Sequence, residues 1–250
     1  MIPGGFQKRR EVTWKRFINK SLNLFFQEQW AGLGHYIISE TGNMFADRHI
    51  LQGSEILTCP LCNYTAPTFV HLSNPIGITW NSACPNCNSR SRHRGLVFLY
   101  REYLQNIPGK KILHFAPEPV LENEIRKYSQ HQYFTTDYHM SGVDYPIEDI
   151  QKLSFDNSSF DFVLSNHVLE HIPDDSAAVA ELVRILKSGG MAIITIPGDW
   201  RRKKTKTFTH LNYNGHYRDY GLDILEMLMI FFSRVKKRKL FKYQGHRHVI

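Results

Sequence analysis

The stretch "FDFVLSNHVLEHIPDDSAAVAELVRILKSGGMAIITIP", residues 160–197, reads as strand, helix, strand. Phe160 to Ser165 is a short apolar run suited to burial in a parallel sheet. Asp175 to Leu186 places Ala178, Val179, Leu182, Val183 and Leu186 along one side of a helix. Gly189-Gly190 is expected to end that helix, and Met191 to Ile196 forms the next buried strand. Upstream, Lys111 to Phe115 is a strand and Val120 to Tyr128 a helix. Tyr133 to Thr136 is a second strand ending at Asp137. Strands alternating with helices predict an α/β fold, a Rossmann-like doubly wound sheet whose ligands sit at the carboxyl ends of its strands.

At the first of those ends stands "KKILHFAPEPVLENEI", residues 110–125. A nucleotide-binding turn at this position usually carries glycines, and this one carries Ala116, Pro117 and Pro119. Either it is a cofactor loop without glycine or it is an ordinary turn.

All four cysteines lie in two matching frames, Cys59-Pro-Leu-Cys62 and Cys84-Pro-Asn-Cys87, with 21 residues between them. Two such turns present four thiolates to one tetrahedral zinc ion and leave no open position for water, so the site is expected to be structural. Disulfides are the alternative reading, disfavoured in a reducing compartment. After the second pair, Leu96, Leu99, Tyr100, Tyr103 and Leu104 give a helix one apolar face. Arg90, Arg92, His93 and Arg94 at its start face an anion or pair with carboxylates. Nearer the N-terminus, Trp14, Phe17, Ile18, Leu22 and Phe25 recur at helical spacing, and Trp30, Tyr36 and Met44 continue the apolar content less regularly. This segment is a lid over a site or a packing arm.

The chain has 250 residues, 42% of them apolar, which is enough for one full core and a small subdomain. No run of eighteen apolar residues appears and no signal pattern opens the sequence, so a cytoplasmic protein without membrane association is expected. The net charge of +8 is concentrated at Arg201, Arg202, Lys203, Lys204 and Lys206, and at Arg234, Lys236, Lys237, Arg238 and Lys239. Such runs form either a solvated surface or a contact for an anionic partner such as RNA.

Residues 160–197 resemble the core of class I S-adenosylmethionine-dependent methyltransferases in their strand, Asn-His turn, Leu-Glu-His, helix and Leu-Lys-x-Gly-Gly sequence. Asp149-Ile150-Gln151-Lys152-Leu153-Ser154-Phe155 resembles the adenine-side segment of that family. The two CxxC pairs, SRSRHRGLVFLY, LHFAPE and GHYRDYG (215–221) are similar to a zinc-ribbon-bearing bacterial subgroup with an HFAPE turn in place of the glycine-rich loop. The resemblance implies S-adenosylmethionine as cofactor. That molecule has no phosphate, so its turn needs no glycine-lined anion nest. Phe115, Ala116, Pro117 and Glu118 would then form the cofactor turn, with Glu118 meeting the cofactor's ammonium group or favouring the start of the next helix. Asp137, 21 residues after Ala116, is placed to bind the ribose hydroxyls, beside Tyr138. By the same likeness Asp149 and Ile150 would hold the adenine, and Asn166 and His167 the methionine part.

A hydroxyl or ammonium acceptor must lose a proton, and His167, His210 and His216 are the candidate catalytic bases. His171 reads as a packing or capping group. The acceptor pocket is expected to draw on Trp200, His210, Asn212, Tyr213, His216, Arg218 and Tyr220. The expected organisation is a helical arm over 1–52, a zinc ribbon and connecting helix over 53–107, and the cofactor-binding domain over 108–250, closed by a hairpin from Lys239 onward that completes the sheet. The expected activity is methyl transfer to an oxygen or nitrogen of a small molecule. The alternatives are an RNA acceptor bound through the zinc module and basic clusters, and a catalytically silent cofactor-binding partner protein.

Overall fold

The computed structural model describes residues 14–27, 29–45, 56–74, 77–105, 108–128, 132–212, 214–237, 239–243 and 246–249. Its chain divides into two compact units, Met1–Phe98 with Tyr243–His246 and Leu99–Lys242 with Arg247–Ile250.

In the first unit, helices α1 (Trp14–Phe26) and α2 (Trp30–Phe45), of 13 and 16 residues, pack together. Phe17 stacks on Tyr36 with ring centroids 5.8 Å apart, and Phe25 meets Trp30 edge-on at 4.9 Å. Strands β1 (Leu57–Thr58) and β2 (Thr65–Ala66) pair antiparallel, as do β3 (Val70–Asn74) and β4 (Gly77–Ala83). Asn43 ties α2 to β3, donating to the His71 carbonyl at 3.0 Å and accepting from its amide at 2.7 Å. Helix α3 (Ser91–Leu104) follows the second cysteine pair; its first part, with Leu96 buried, belongs to this unit, and its last part, with Leu99, Tyr100 and Leu104 buried, to the second.

The second unit holds β5 (Lys111–Phe115), α4 (Pro119–Ile125), β6 (Gln132–Asp137), β7 (Tyr145–Pro146) and β8 (Phe160–Asn166). A 3-10 turn (Leu169–His171), α5 (Asp175–Ile185) and β9 (Leu186–Thr195) come next. The chain ends with β10 (Lys206–Thr207), β11 (Arg218–Asp219), α6 (Ile224–Phe231), β12 (Lys239–Tyr243) and β13 (His246–Val249). Five strands form one parallel sheet in the order β7-β6-β5-β8-β9. Strand order reverses direction between β5 and β8, which makes the crevice above their carboxyl ends the expected ligand position. Phe162 and Leu164 in β8 pack among the other buried strand residues, while Val163, Val179 and Leu182 join β8 to α5 in the main core.

The α5–β9 junction and the place of the terminal strands differ from the sequence expectation. Helix α5 stops at Ile185, before the two glycines, because Leu186 turns extended and begins β9 at once. The residues Lys187 to Gly190 instead form a bulge, with Phe160 opposite Leu186 but Phe162 opposite Met191. Gly190 is required there: a Cβ would lie 2.9 Å from the Lys187 carbonyl oxygen and 3.1 Å from that of Asp161. The terminal strands β12 and β13 pair in a two-stranded sheet of their own and do not extend the central one. Among the described residues no helix is long and apolar enough to cross a membrane.

Candidate active site and cysteine cluster

The carboxyl edge of the parallel sheet is built by one device used three times. Ala116, Ile147 and His167 each directly follow a strand, and each takes a positive φ, of 48°, 64° and 53°. The amide of each donates to the neighbouring strand: Ala116 to the Thr136 carbonyl (2.9 Å), Ile147 to Asp137 (2.9 Å) and His167 to Thr195 (2.8 Å). Pairing therefore continues one residue beyond the strand, and the chain then turns sharply over the edge. None of the three is glycine, although L-residues in this region carry a steric cost of about 1–2 kcal/mol. The HFAPE turn thus keeps the backbone conformation that glycine would supply. Ala116→Gly should stabilise the protein by about 0.5–1 kcal/mol, read as a rise in melting temperature. A fall would mean that packing by the Ala116 methyl outweighs the relief of strain.

These turns enclose a cleft of about 390 Å³. Phe115, Ala116, Asp137 and Tyr138 line one part, Asp149 and Ile150 another, and His167 and His171 a third. Asp137 Oδ1 accepts from the amides of His139 and Met140, both at 2.6 Å, which fixes the turn after β6. Asp149 Oδ1 accepts from the Gln151 amide (2.9 Å) and from Gln151 Nε2 (3.1 Å), while Gln151 Oε1 accepts from the Asp174 amide. Both carboxylates therefore shape turns as well as lining the cleft.

Pro117, Glu118 and Asn166 are not among the lining residues. Asn166 is buried, and its Nδ2 donates to the Tyr100 hydroxyl at 2.8 Å and to His114 Nε2 at 3.1 Å. His114 Nε2 is thereby the acceptor, so its ring proton resides on Nδ1, 2.7 Å from the Tyr133 hydroxyl. Burial lowers the His114 pKa to about 4 and raises those of Tyr100 and Tyr133, which keeps the whole chain of groups neutral. The Glu118 carboxylate acts on this network through its charge, opposing the shift at His114.

The histidine candidates separate. His167 and His216 come together with Glu170 and His171, whereas His210 is exposed and stands outside that group. His167 Nδ1 lies 3.2 Å from Glu170 Oε1. The segment 215–218 clasps the 3-10 turn: the Tyr217 amide donates to the Glu170 carbonyl, and Arg218 donates to the carbonyls of Ile172 (2.9 Å) and Pro173 (2.6 Å). Arg218 also pairs with Asp175 at 3.0 Å, and the Tyr220 hydroxyl donates to the same carboxylate at 2.8 Å. Arg218, Tyr220 and the core-packed Trp200 are thus framework, and none lines the cleft. Asn212 likewise caps its own loop, and Tyr213 lies outside the described residues.

The sequence reading passed over Glu170 and gave His171 a packing role. Their signal was the spacing His-x-x-Glu-His, which brings positions 167, 170 and 171 onto one turn. It also set Arg94 against an anion or a carboxylate. Arg94 is instead buried, donating to the carbonyls of Asn81 (2.8 Å), Ser82 (3.1 Å) and Ser89 (2.7 Å) around the second cysteine turn.

The four cysteines converge. Cys59 and Cys87 Sγ are 3.7 Å apart, Cys62 and Cys84 3.6 Å, and all four sulfurs lie within 4.8 Å of one another with no disulfide. Sulfurs about 2.3 Å from a tetrahedral zinc ion lie roughly 3.75 Å apart, so this spacing fits that ion. The two turns are near copies. Asn63 and Asn88 both take positive φ, and their amides donate back to the Cys59 and Cys84 carbonyls at 2.8 and 2.9 Å. Hydrogen bonding from Cys84 and Cys87 holds the Cys59 thiol below its usual range, and the Cys84 thiol is pushed up in return.

A family model described as a methyltransferase domain matches residues 109–194. The matched segment contains β5 to β8, nearly all of β9 and the three left-handed turns, and the four cysteines precede it. Over 58 residues the chain is 38% identical to phosphoethanolamine N-methyltransferase 2 of Caenorhabditis elegans, a match covering 23% of this chain and 13% of that relative. Among solved structures, the PH0226 protein of Pyrococcus horikoshii OT3 is similar with a TM-score of 0.47 and 17% identity, over 64% of this chain and 87% of that one. The BH2331 protein of Bacillus halodurans C-125 gives a TM-score of 0.45 and 15% identity, over 57% and 71%.

Proposed function

We propose that the protein is an S-adenosylmethionine-dependent methyltransferase acting on an oxygen or nitrogen of a small molecule, with a structural zinc ion held by Cys59, Cys62, Cys84 and Cys87. The observation that carries the reading is the cleft at the carboxyl edge of the sheet, inside the methyltransferase domain, lined by Ala116, Asp137 and Asp149-Ile150. Its volume is of the size that small-molecule sites have. Asp137 Oδ2 takes no hydrogen bond among the described residues and is the acceptor for a ribose hydroxyl. When bound, the sulfonium cofactor supplies an activated methyl group for in-line displacement. The chain's own part is to orient both reactants and exclude water, and His167 in the cleft wall is the receiver for the acceptor's proton.

A small acceptor is supported by the state of the basic residues. Arg201 and Arg202 both lie against Asp199, at 2.9 and 3.9 Å, and Arg218 is built into the framework. The relative's name, an N-methyltransferase of phosphoethanolamine, is in keeping with a small amine acceptor. Lys203 and Lys204 stay exposed and are what an RNA acceptor would use.

Titration calorimetry tests the proposal. S-adenosylmethionine and S-adenosylhomocysteine should both bind, and Asp137→Ala should weaken the two alike by roughly tenfold to a hundredfold, or about 1.5–3 kcal/mol. Unchanged affinity would remove Asp137 from the site. Cofactor binding without methyl transfer to any amine, hydroxyl or RNA acceptor would favour the silent partner protein instead.

A further inference from the structure

The geometry points to a second metal site, distinct from the four cysteines: a divalent cation of the zinc and cobalt class bound by Glu170, His171 and His216. One ligand atom from each of the three lies within 4.8 Å of the others. Nitrogen and oxygen ligands about 2.0–2.2 Å from a tetrahedral ion are roughly 3.4 Å apart, so small ring rotations close the set. Two imidazoles with one carboxylate suit a borderline ion better than magnesium or calcium, which prefer oxygen alone.

Three independent features prepare these residues for a cation. The Glu170 carboxylate is 1% exposed, and neither of its oxygens makes a hydrogen bond. A buried carboxylate in that condition is costly unless a positive charge faces it. His167 Nδ1 approaches Oε1 to 3.2 Å without hydrogen-bond alignment, and Arg218, the cation on the adjoining strand, is engaged by Asp175. Next, His171 Nδ1 is 2.9 Å from the Gly215 carbonyl oxygen, an acceptor that requires the proton on Nδ1. Nε2 is then the unprotonated nitrogen, the arrangement in which a backbone carbonyl orients a metal-binding imidazole. Finally, His216 Nδ1 is buried, makes no hydrogen bond and lies 3.8 Å from Asp219 Oδ1, and its ring meets that of His171 edge-on at 4.8 Å.

The backbone around the cluster is already fixed. The Tyr217 amide binds the Glu170 carbonyl at 2.8 Å, and the His216 amide binds Asn212 Oδ1 at 3.0 Å. The motif GHYRDYG thus delivers one ligand while clasping the turn that delivers the other two. Three protein ligands leave coordination positions open, and His171 lines the cleft. An oxygen ligand would fill one of them: water in the resting protein, or a hydroxyl, carboxylate or phosphate oxygen of the methyl acceptor. That last role rests on the proposed function, whereas the metal assignment rests on the cluster alone.

Cobalt(II) is the probe, added to the full chain carrying its tetrathiolate zinc. One further cobalt ion per chain should bind, with weak visible bands and no sulfur-to-metal charge transfer. Glu170→Gln and His216→Ala should each weaken uptake by about a hundredfold or more, beyond the ~10–100-fold typical of residues one shell further out. Circular dichroism reports whether each variant is folded. For the wild type, hyperfine-shifted, solvent-exchangeable imidazole N–H protons should number two per bound cobalt. No uptake by folded wild type, a sulfur charge-transfer band, or full uptake by folded Glu170→Gln would each overturn the site. S-adenosylmethionine calorimetry on the same samples keeps the readings apart. Cobalt uptake without cofactor binding upholds the metal site and sinks the proposed function; cofactor binding without cobalt uptake does the reverse.

Discussion

Cys84→Ser is expected to release the zinc ion proposed at the four cysteines and to unfold both cysteine turns with the short β1–β2 ladder. The reason is how little else holds that region. Its hydrophobic cluster has five buried members, Leu57, Cys59, Ala66, Phe69 and Cys84, and two of these are proposed ligands. The β1–β2 ladder is only two residues long on each side. A core this small does not pay for the ordering of the chain around it. Structural zinc in small modules contributes apparent binding free energies of about 10–16 kcal/mol, and that energy is folding energy. Losing one thiolate should therefore lower stability by several kcal/mol, roughly 3 or more, with near-complete loss of tightly bound zinc. The effect should also reach Arg94, whose guanidinium binds carbonyls at Asn81, Ser82 and Ser89 on both sides of Cys84. Metal analysis and thermal melting check the outcome, and chelation of the wild type should reproduce it. A Cys84→Ser protein with wild-type melting and no zinc would show that the four cysteines do not hold a structural metal.

The two halves of the molecule were legible in the sequence to different depths. Strand β5 has the bounds its apolar run predicts, and β8 differs by one residue, because both lie in the middle of the sheet where sequence pattern and burial agree. The α5–β9 boundary was misread because Gly189 and Gly190 signal a break in the chain without saying which kind. Here they serve a bulge inside a strand and not a helix end. The convergence of the four cysteines was readable because two CxxC turns that share one chain segment leave few other arrangements. Side-chain orientation at the cleft was not. Asn166 ends β8, where a site residue is expected, yet its side chain is turned toward Tyr100 and His114. Arg218 and Tyr220 look like pocket residues by composition, and only the tertiary contact with Asp175 shows them to be framework. His216 meets Glu170 and His171 across a separation of more than 40 positions, which no local pattern reveals.

The buried His114 should make the second unit sensitive to mild acid. Its ring is wholly buried, in the middle of the parallel sheet, with both nitrogens occupied: Nδ1 against the Tyr133 hydroxyl and Nε2 accepting from Asn166. A second proton would have to enter at Nε2, where Asn166 Nδ2 already points a hydrogen. Burial therefore holds its pKa near about 4, below the ordinary value of 6.5. The unfolded chain takes up this proton as pH falls below about 6.5, while the folded chain resists until about 4. The contribution of a neutral His114 to stability is thus complete above pH 6.5 and is lost progressively down to pH 4, with no further loss below. Its size over that window is about 3 kcal/mol. Carboxylates whose pKa values are lowered, such as Glu124 held by Arg101 and Lys127, add their own losses, mainly toward and below pH 4.5. Comparison with His114→Gln separates the two, because glutamine keeps an acceptor for Asn166 and does not titrate. Urea unfolding of both proteins between pH 7.5 and pH 4 is the measurement. The variant should be the less stable at pH 7.5, since it gives up the Tyr133 contact, and the gap should narrow by about 3 kcal/mol on acidification. Parallel curves across that range would mean that His114 takes up its proton at the same pH in the folded and unfolded chain, so that burial does not hold it neutral.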